Sequence, residues 1–202
     1  MKNTILSLAA SAALGLVPFA NAIDFDLEDP KGVNNIVFLL DAPLESINGT
    51  ATGITGTVSF DPAKPEATTG KVVVAVDSLS VANPKMVEHM MGAKWLDQKK
   101  HQTITFELKG LSGVKEKGAK LEGTARGVMT IKGVSKEMEI PVSLSYLKGK
   151  LADRQRTPGD ILVIRSSFSV KRSDFGVNPG DSEDKVADEI ELRLSLGGFA
   201  PY

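Results

Sequence analysis

Glu189-Ile190-Glu191-Leu192-Arg193-Leu194-Ser195-Leu196 decides how this chain folds: every odd position is polar and every even position is aliphatic. Side chains alternate between faces along an extended strand, so this octet sends one row into a dry interior and the other into water. A slip of one residue would exchange the two rows, which pins the register. The same alternation recurs upstream. Ile36, Phe38 and Leu40 alternate with Val37, Leu39 and Asp41 in a mostly apolar run, and Thr57-Val58-Ser59-Phe60 stops at Asp61-Pro62. Lys71 to Asp77 sets Val72, Val74 and Val76 on one face, and Thr103 to Leu108 alternates without a break. Glu139 to Tyr146 repeats the pattern, with Pro141 marking an edge or a bulge. Ile161 to Lys171 puts Leu162, Ile164, Phe168 and Val170 on one face.

With Leu121 to Lys132 counted as a strand pair or one long strand, the chain carries about eight strands. Asn48 to Gly53, rich in Gly and Thr, reads as a turn. An antiparallel sheet with one dry face is implied, closed into a barrel or folded as a sandwich; periodicity alone does not separate the two. One stretch breaks the period of two. In Asn83 to Met91 the apolar residues fall at 86, 87, 90 and 91, a helical stripe. Asn83 suits the N-cap, Pro84 the first helical position and Gly92 the end. The expectation is an all-β domain over residues 23–202 with one short helix laid against it.

Residues 1–22 have the grammar of a secretory leader. Lys2 is followed by an apolar or small run from Ile5 to Phe19, broken at Pro18, and then by the small-residue site Ala20-Asn21-Ala22. The run is shorter than the roughly 20 residues that span a bilayer, so export with cleavage after Ala22, not a membrane anchor, is expected. The predicted location is the periplasm or the exterior. The chain of 202 residues has a net charge of −1 and no cysteine. Near-zero charge argues against a nucleic-acid partner, and the missing thiols exclude disulfides, thiolate metal sites and thiol catalysis.

Catalytic motifs are missing too. There is no G-x-S-x-G elbow, no phosphate-binding loop and no G-x-G-x-x-G after a strand. His89 and His101 share no short spacing, and a metal is not expected. An enzymatic reading would have to pair His89 with Glu88 or Asp97. The clusters Asp153 to Arg156 and Asp181 to Lys185 read as solvated loops. What the chain has in surplus is apolar wall. Aliphatic inward rows interspersed with phenylalanines, next to the adaptable Met86, Met90 and Met91, suit a hydrocarbon chain better than a sugar or phosphate. A barrel of about eight strands is at the size that is either filled or holds one ligand.

Several segments resemble a known family. Trp95-Leu96-Asp97, Lys100-His101-Gln102 and Thr103-Ile104-Thr105-Phe106 follow its aromatic-apolar-Asp, Lys-aromatic-Pro and Thr-Ile-Thr-Phe elements, after a Glu88-His89-Met90 element. Gly127 to Glu137, Ile140-Pro141-Val142, Phe168 to Val177 and Val186 to Leu192 follow its later motifs in order. By these residues the chain resembles the YceI-like family, the resemblance covering roughly residues 35–196. It departs at Leu40 to Leu44, where the family often has a histidine, and at Gln102, where it has a proline.

The resemblance implies an extended, lipocalin-like, eight-stranded antiparallel barrel with a helix beside it. It also implies an exported binding or carrier protein, with no cofactor, for an amphipathic isoprenoid-type lipid: a polyisoprenoid, an isoprenoid quinone or a fatty amide. The ligand tail is expected against Phe38, Phe60, Val74, Ile104, Phe106, Phe168 and Val170. Met86, Met90 and Trp95 are expected at the helix-side wall or mouth, and a Met- and Phe-lined mouth would favour a homodimer. The contrasting expectation is a stress-related structural or interaction protein whose barrel is packed solid.

Overall fold

The computed structural model describes residues 22–202; the leader expected over residues 1–22 lies, but for Ala22, outside them. Among the described residues eleven strands and two α-helices follow one another. They are β1 (Ile23–Asp26), β2 (Asn35–Asp41), β3 (Ser46–Ala51), β4 (Ile54–Phe60), β5 (Thr69–Ala75), β6 (Leu79–Val81), α1 (Pro84–Met91), β7 (Thr103–Lys117), β8 (Lys120–Ile131), β9 (Val134–Leu147), α2 (Leu151–Gln155), β10 (Gly159–Lys171) and β11 (Glu189–Pro201).

Every ladder is antiparallel, and the sheet closes on itself. The ring runs β1-β4-β5-β7-β8-β9-β10-β11 and returns to β1 through Asp26 opposite Phe199. Eight strands therefore form a barrel, and the sandwich is excluded. The count of eleven arises because three walls are broken. β2, β3 and β6 continue β1, β4 and β5 past short interruptions, pairing in the order β11-β2-β3-β6. β7 begins opposite Ala75 at the end of β5, so no ladder joins it to β6. The segment carrying α1 lies at this side, with Met90, Met91 and Trp95 packed on the core.

The octet Glu189 to Leu196 behaves as its parity demands. Ile190, Leu192, Leu194 and Leu196 face inward, while Glu189, Glu191 and Arg193 are exposed. α1 starts where expected: the Asn83 side chain accepts the Lys85 N–H at 3.0 Å, with Pro84 in the first turn. Pro141 marks a fork. β9 pairs with β10 only from Val142 to Leu147, opposite Ser166 to Ile161. Pro141 has no N–H to extend that ladder, and its carbonyl instead accepts the Ser166 hydroxyl at 2.6 Å.

Two expectations are corrected. Asn48 to Gly53 is not a turn: residues up to Ala51 form β3, and only Thr52-Gly53 breaks the path. The glycine that suggested a turn makes room, since a Cβ at Gly49 would overlap the Phe38 ring. Asp153 to Arg156 is not simply a solvated loop either. Arg154 closes the α2 end of the barrel by donating to Asp29 at 2.6 Å and lying over the Phe199 ring at 5.0 Å.

The α2 end is packed. Phe25, Phe60 and Tyr146 meet in tilted and edge-on pairs, 5.8 to 6.5 Å apart. Leu27, Leu151 and Leu162 are fully buried. The Tyr146 hydroxyl donates to Asp160 at 2.5 Å, and Asp160 also accepts the Gly149 N–H at 2.7 Å. Burial and then this carboxylate push the Tyr146 phenol up to about 12. Asp29 has a side chain only 2% exposed. Burial works to raise its pKa, but the Lys31 and Val33 N–H groups and the Arg154 guanidinium outweigh it and hold the carboxyl below its ordinary value.

Candidate functional site

Toward the α1 end the barrel is hollow. The inward rows surround a cavity of ≈ 460 Å³, a volume in the range of sites for small organic ligands. Parity is what empties and shapes it. On β8 the odd positions face inward as Leu121, Gly123, Ala125, Gly127, Met129 and Ile131. The small members leave space that larger neighbours use: a Cβ at Gly127 would meet the Phe106 ring.

Nine of the ten residues expected around a ligand share this lining. Phe38 and Val74 come from β2 and β5, Ile104 and Phe106 from β7, and Phe168 and Val170 from β10. Met86 and Met90 come from α1, and Trp95 follows it. The tenth, Phe60, stands off the cavity; it is 1% exposed, among the aromatic rings of the packed end. Strand parity places Phe60 correctly as inward but carries no information on depth along the barrel.

The lining is almost wholly apolar, and its titratable side chains are Glu45, His89, Arg172 and Lys185. All four belong to the α1 end: the turn between β2 and β3, α1 itself, and the connection from β10 to β11. His89 and Lys185 are exposed and Glu45 is half-buried. Glu88 turns away to pair with Lys85 at 2.8 Å, and Asp97 pairs with Lys100 at 3.1 Å. Neither carboxylate is bonded to His89. Among the described residues no cluster of three or more His, Asp and Glu side chains is placed to hold a metal ion.

Arg172 is the residue sequence reasoning missed. It is 2% exposed, and its guanidinium is occupied by backbone. It donates to the carbonyls of Ala187 at 3.2 Å, Val177 at 3.0 Å, Asp181 at 2.7 Å and Val186 at 3.1 Å, and also to that of Asn178. It lies over the Trp95 ring at 5.3 Å. One buried cation thus folds residues 177–187 over the cavity mouth and fixes the indole in its wall. A signal was present, because Phe168, Val170 and Arg172 share one parity.

Asp188 braces the same connection. It accepts the Ser173 N–H and hydroxyl, each at 2.8 Å. Burial opposes its ionisation, but these bonds and the nearby Arg172 and Lys171 keep its carboxyl below the usual value. From the β8–β9 turn, Lys132 donates to the carbonyls of Lys94 at 2.8 Å and Gly176 at 3.0 Å. The segment after α1 and the β10–β11 connection are therefore laced together.

A closed, eight-stranded antiparallel barrel, broken on one side and covered by a helix over an apolar hollow, defines the lipocalin-like class of β-barrel. Comparison with known proteins narrows this. The YceI-like domain signature matches residues 34–197. A UPF0312 protein of Azotobacter vinelandii is 30% identical over 202 residues, covering 98% of both chains. BcnA of Burkholderia cenocepacia superposes with a TM-score of 0.66 at 22% identity, covering 81% of this chain and 95% of its own. A polyisoprenoid-binding domain from Saccharophagus degradans, implicated in plant cell wall breakdown, superposes with a TM-score of 0.64 at 11% identity, covering 90% of this chain and 99% of its own. The chain belongs to the YceI-like family. No helix among the described residues is long and apolar enough to cross a membrane.

Proposed function

We propose that this chain is an exported binding or carrier protein for an amphipathic lipid of isoprenoid type, with the tail held in the barrel cavity. One observation carries the reading: an apolar hollow of ≈ 460 Å³ whose titratable lining groups are all at one end. A hydrocarbon tail loses nothing in such a lining, while a sugar or phosphate would leave its polar groups unpaired there. Each methylene moved from water contributes about 0.8 kcal/mol, so a tail of about ten carbons supplies about 8 kcal/mol before the costs of association.

Support also comes from the family and from the polyisoprenoid-binding domain of Saccharophagus degradans, which has the same fold. The leader read in residues 1–22 supports a periplasmic or extracellular location. A binding role is favoured over a catalytic one because the His89 ring meets no carboxylate partner, with Glu88 and Asp97 each engaged by a lysine.

Native mass spectrometry of gently purified protein tests the proposal. The expected spectrum contains a stoichiometric lipid adduct that organic extraction removes and long-chain lipid restores. A delipidated protein that takes up no long-chain lipid would overturn it.

A further inference from the structure

Resting on the lipid-binding reading above, the cavity sets limits on both ends of its ligand. We infer that the site is built for one tail of about 16 to 18 carbons, or a prenyl tail of about four units, with a neutral hydrogen-bonding head group held at the α1 rim.

The length follows from the strands. Along β10 the lining runs from Ile164, level with Leu144 on β9, to Arg172 just past the strand end. The step from residue 164 to residue 172 rises about 26 Å, and a strand tilted by about 40° advances about 20 Å along the barrel axis. An extended chain advances about 1.2 Å per backbone bond, so about 16 carbons fit end to end. Volume gives a matching figure by an independent route. A cavity of about 150 Å³ accepts one benzene ring, so ≈ 460 Å³ accepts about three rings' worth, or about 18 carbons.

The head group follows from the rim. Arg172 has its guanidinium committed to backbone carbonyls and to Trp95, which leaves Glu45, His89 and Lys185 to face a ligand. Beside them the β10–β11 connection carries Asp181, Glu183 and Asp184, and the Asp184 carbonyl accepts the Leu44 N–H next to Glu45. Lys185, the nearby Lys94 and the buried Arg172 set three positive charges against these four carboxylates, a net charge of −1. A phosphate or carboxylate head would meet net repulsion there. A hydroxyl or amide finds both donors and acceptors without it.

The test titrates delipidated protein with n-alkanols of about ten to about twenty carbons, and with a four-unit prenyl alcohol and its monophosphate, by displacement of a lipophilic fluorophore. Affinity is expected to rise about fourfold per methylene up to about 16 to 18 carbons and to level off beyond. The prenyl alcohol is expected to bind several-fold more tightly than its monophosphate, the gap narrowing as salt is added. In Glu45→Gln/Asp184→Asn the gap shrinks while the length break stays in place. A break more than about three carbons from that range, no break at all, or tighter binding of the monophosphate overturns this inference and leaves lipid binding intact. An alcohol preference that ignores the double variant overturns the role given to the rim. Failure of every chain to displace the fluorophore overturns the lipid-binding reading itself.

Discussion

At the α2 end of the barrel Phe25, Phe60 and Tyr146 fill the ring edge to face, and Asp29 and Asp160 are fully bonded beneath them. At the α1 end Met86, Met90 and Trp95 are all partly exposed around a hollow, and the helix that carries the two methionines has no fully buried residue. Both ends are built from the same eight-stranded ring. The difference lies in what points inward and in what anchors the lid: side-chain packing at one end, backbone carbonyls gathered by Arg172 at the other. A barrel organised this way can keep its stability apart from its binding space.

Two phenylalanines offer the hardest trial of that division. Phe60→Ala removes a ring from the packed end and should cost about 3–5 kcal/mol in urea unfolding, whereas Phe106→Ala, beside existing space, should cost about 2 kcal/mol or less. Equal losses would erase the distinction between the ends. Asp29→Asn should cost about 3 kcal/mol, because it strands the Arg154 guanidinium in a partly buried site. It also has a pH signature. The folded carboxyl titrates below its ordinary value, so its contribution is fully present above about pH 4 and is lost as pH falls through the folded value. The variant should therefore show a shallower loss of stability in acid; an unchanged acid limb would mean that other carboxylates dominate.

Tyr146 supplies the alkaline counterpart. Its phenol is pushed up to about 12, so the folded state keeps a proton that the unfolded chain gives up near pH 10. That contribution is in place below about pH 10 and drains away between there and about pH 12. Tyr146→Phe should cost about 1.5 kcal/mol at neutral pH and flatten the alkaline limb, read by thermal melts. The smallest effect belongs to the exposed face of α1. Breaking the Lys85–Glu88 pair with Glu88→Gln should move stability by less than about 0.5 kcal/mol, and a large loss would reveal a structural role for that face.

Much of this was legible in the sequence, and the exceptions have physical causes. Alternation in Glu189 to Leu196 and the stripe at 86, 87, 90 and 91 set the face of each side chain, because period is a local property. Depth is not local, so Phe60 and Phe106 looked equivalent although one packs and the other lines a hollow. Gly49 misled because composition shows a glycine but not the Phe38 ring that requires it. Arg154 looked like a solvated charge because its partner, Asp29, is 125 positions away in the chain. Arg172 had the parity of the inward row, but its partners are carbonyls, which no residue type announces.

The last strand in chain order, β11, lies between β10 on one side and both β1 and β2 on the other. The first strand thus waits for the last before the ring can shut. Until then β1, β2 and β10 each lack a neighbour, although pairs of consecutive strands such as β7–β8 and β8–β9 are local. Closure joins Asp26 to Phe199, and a pairing between residues so far apart in the chain is slow to form.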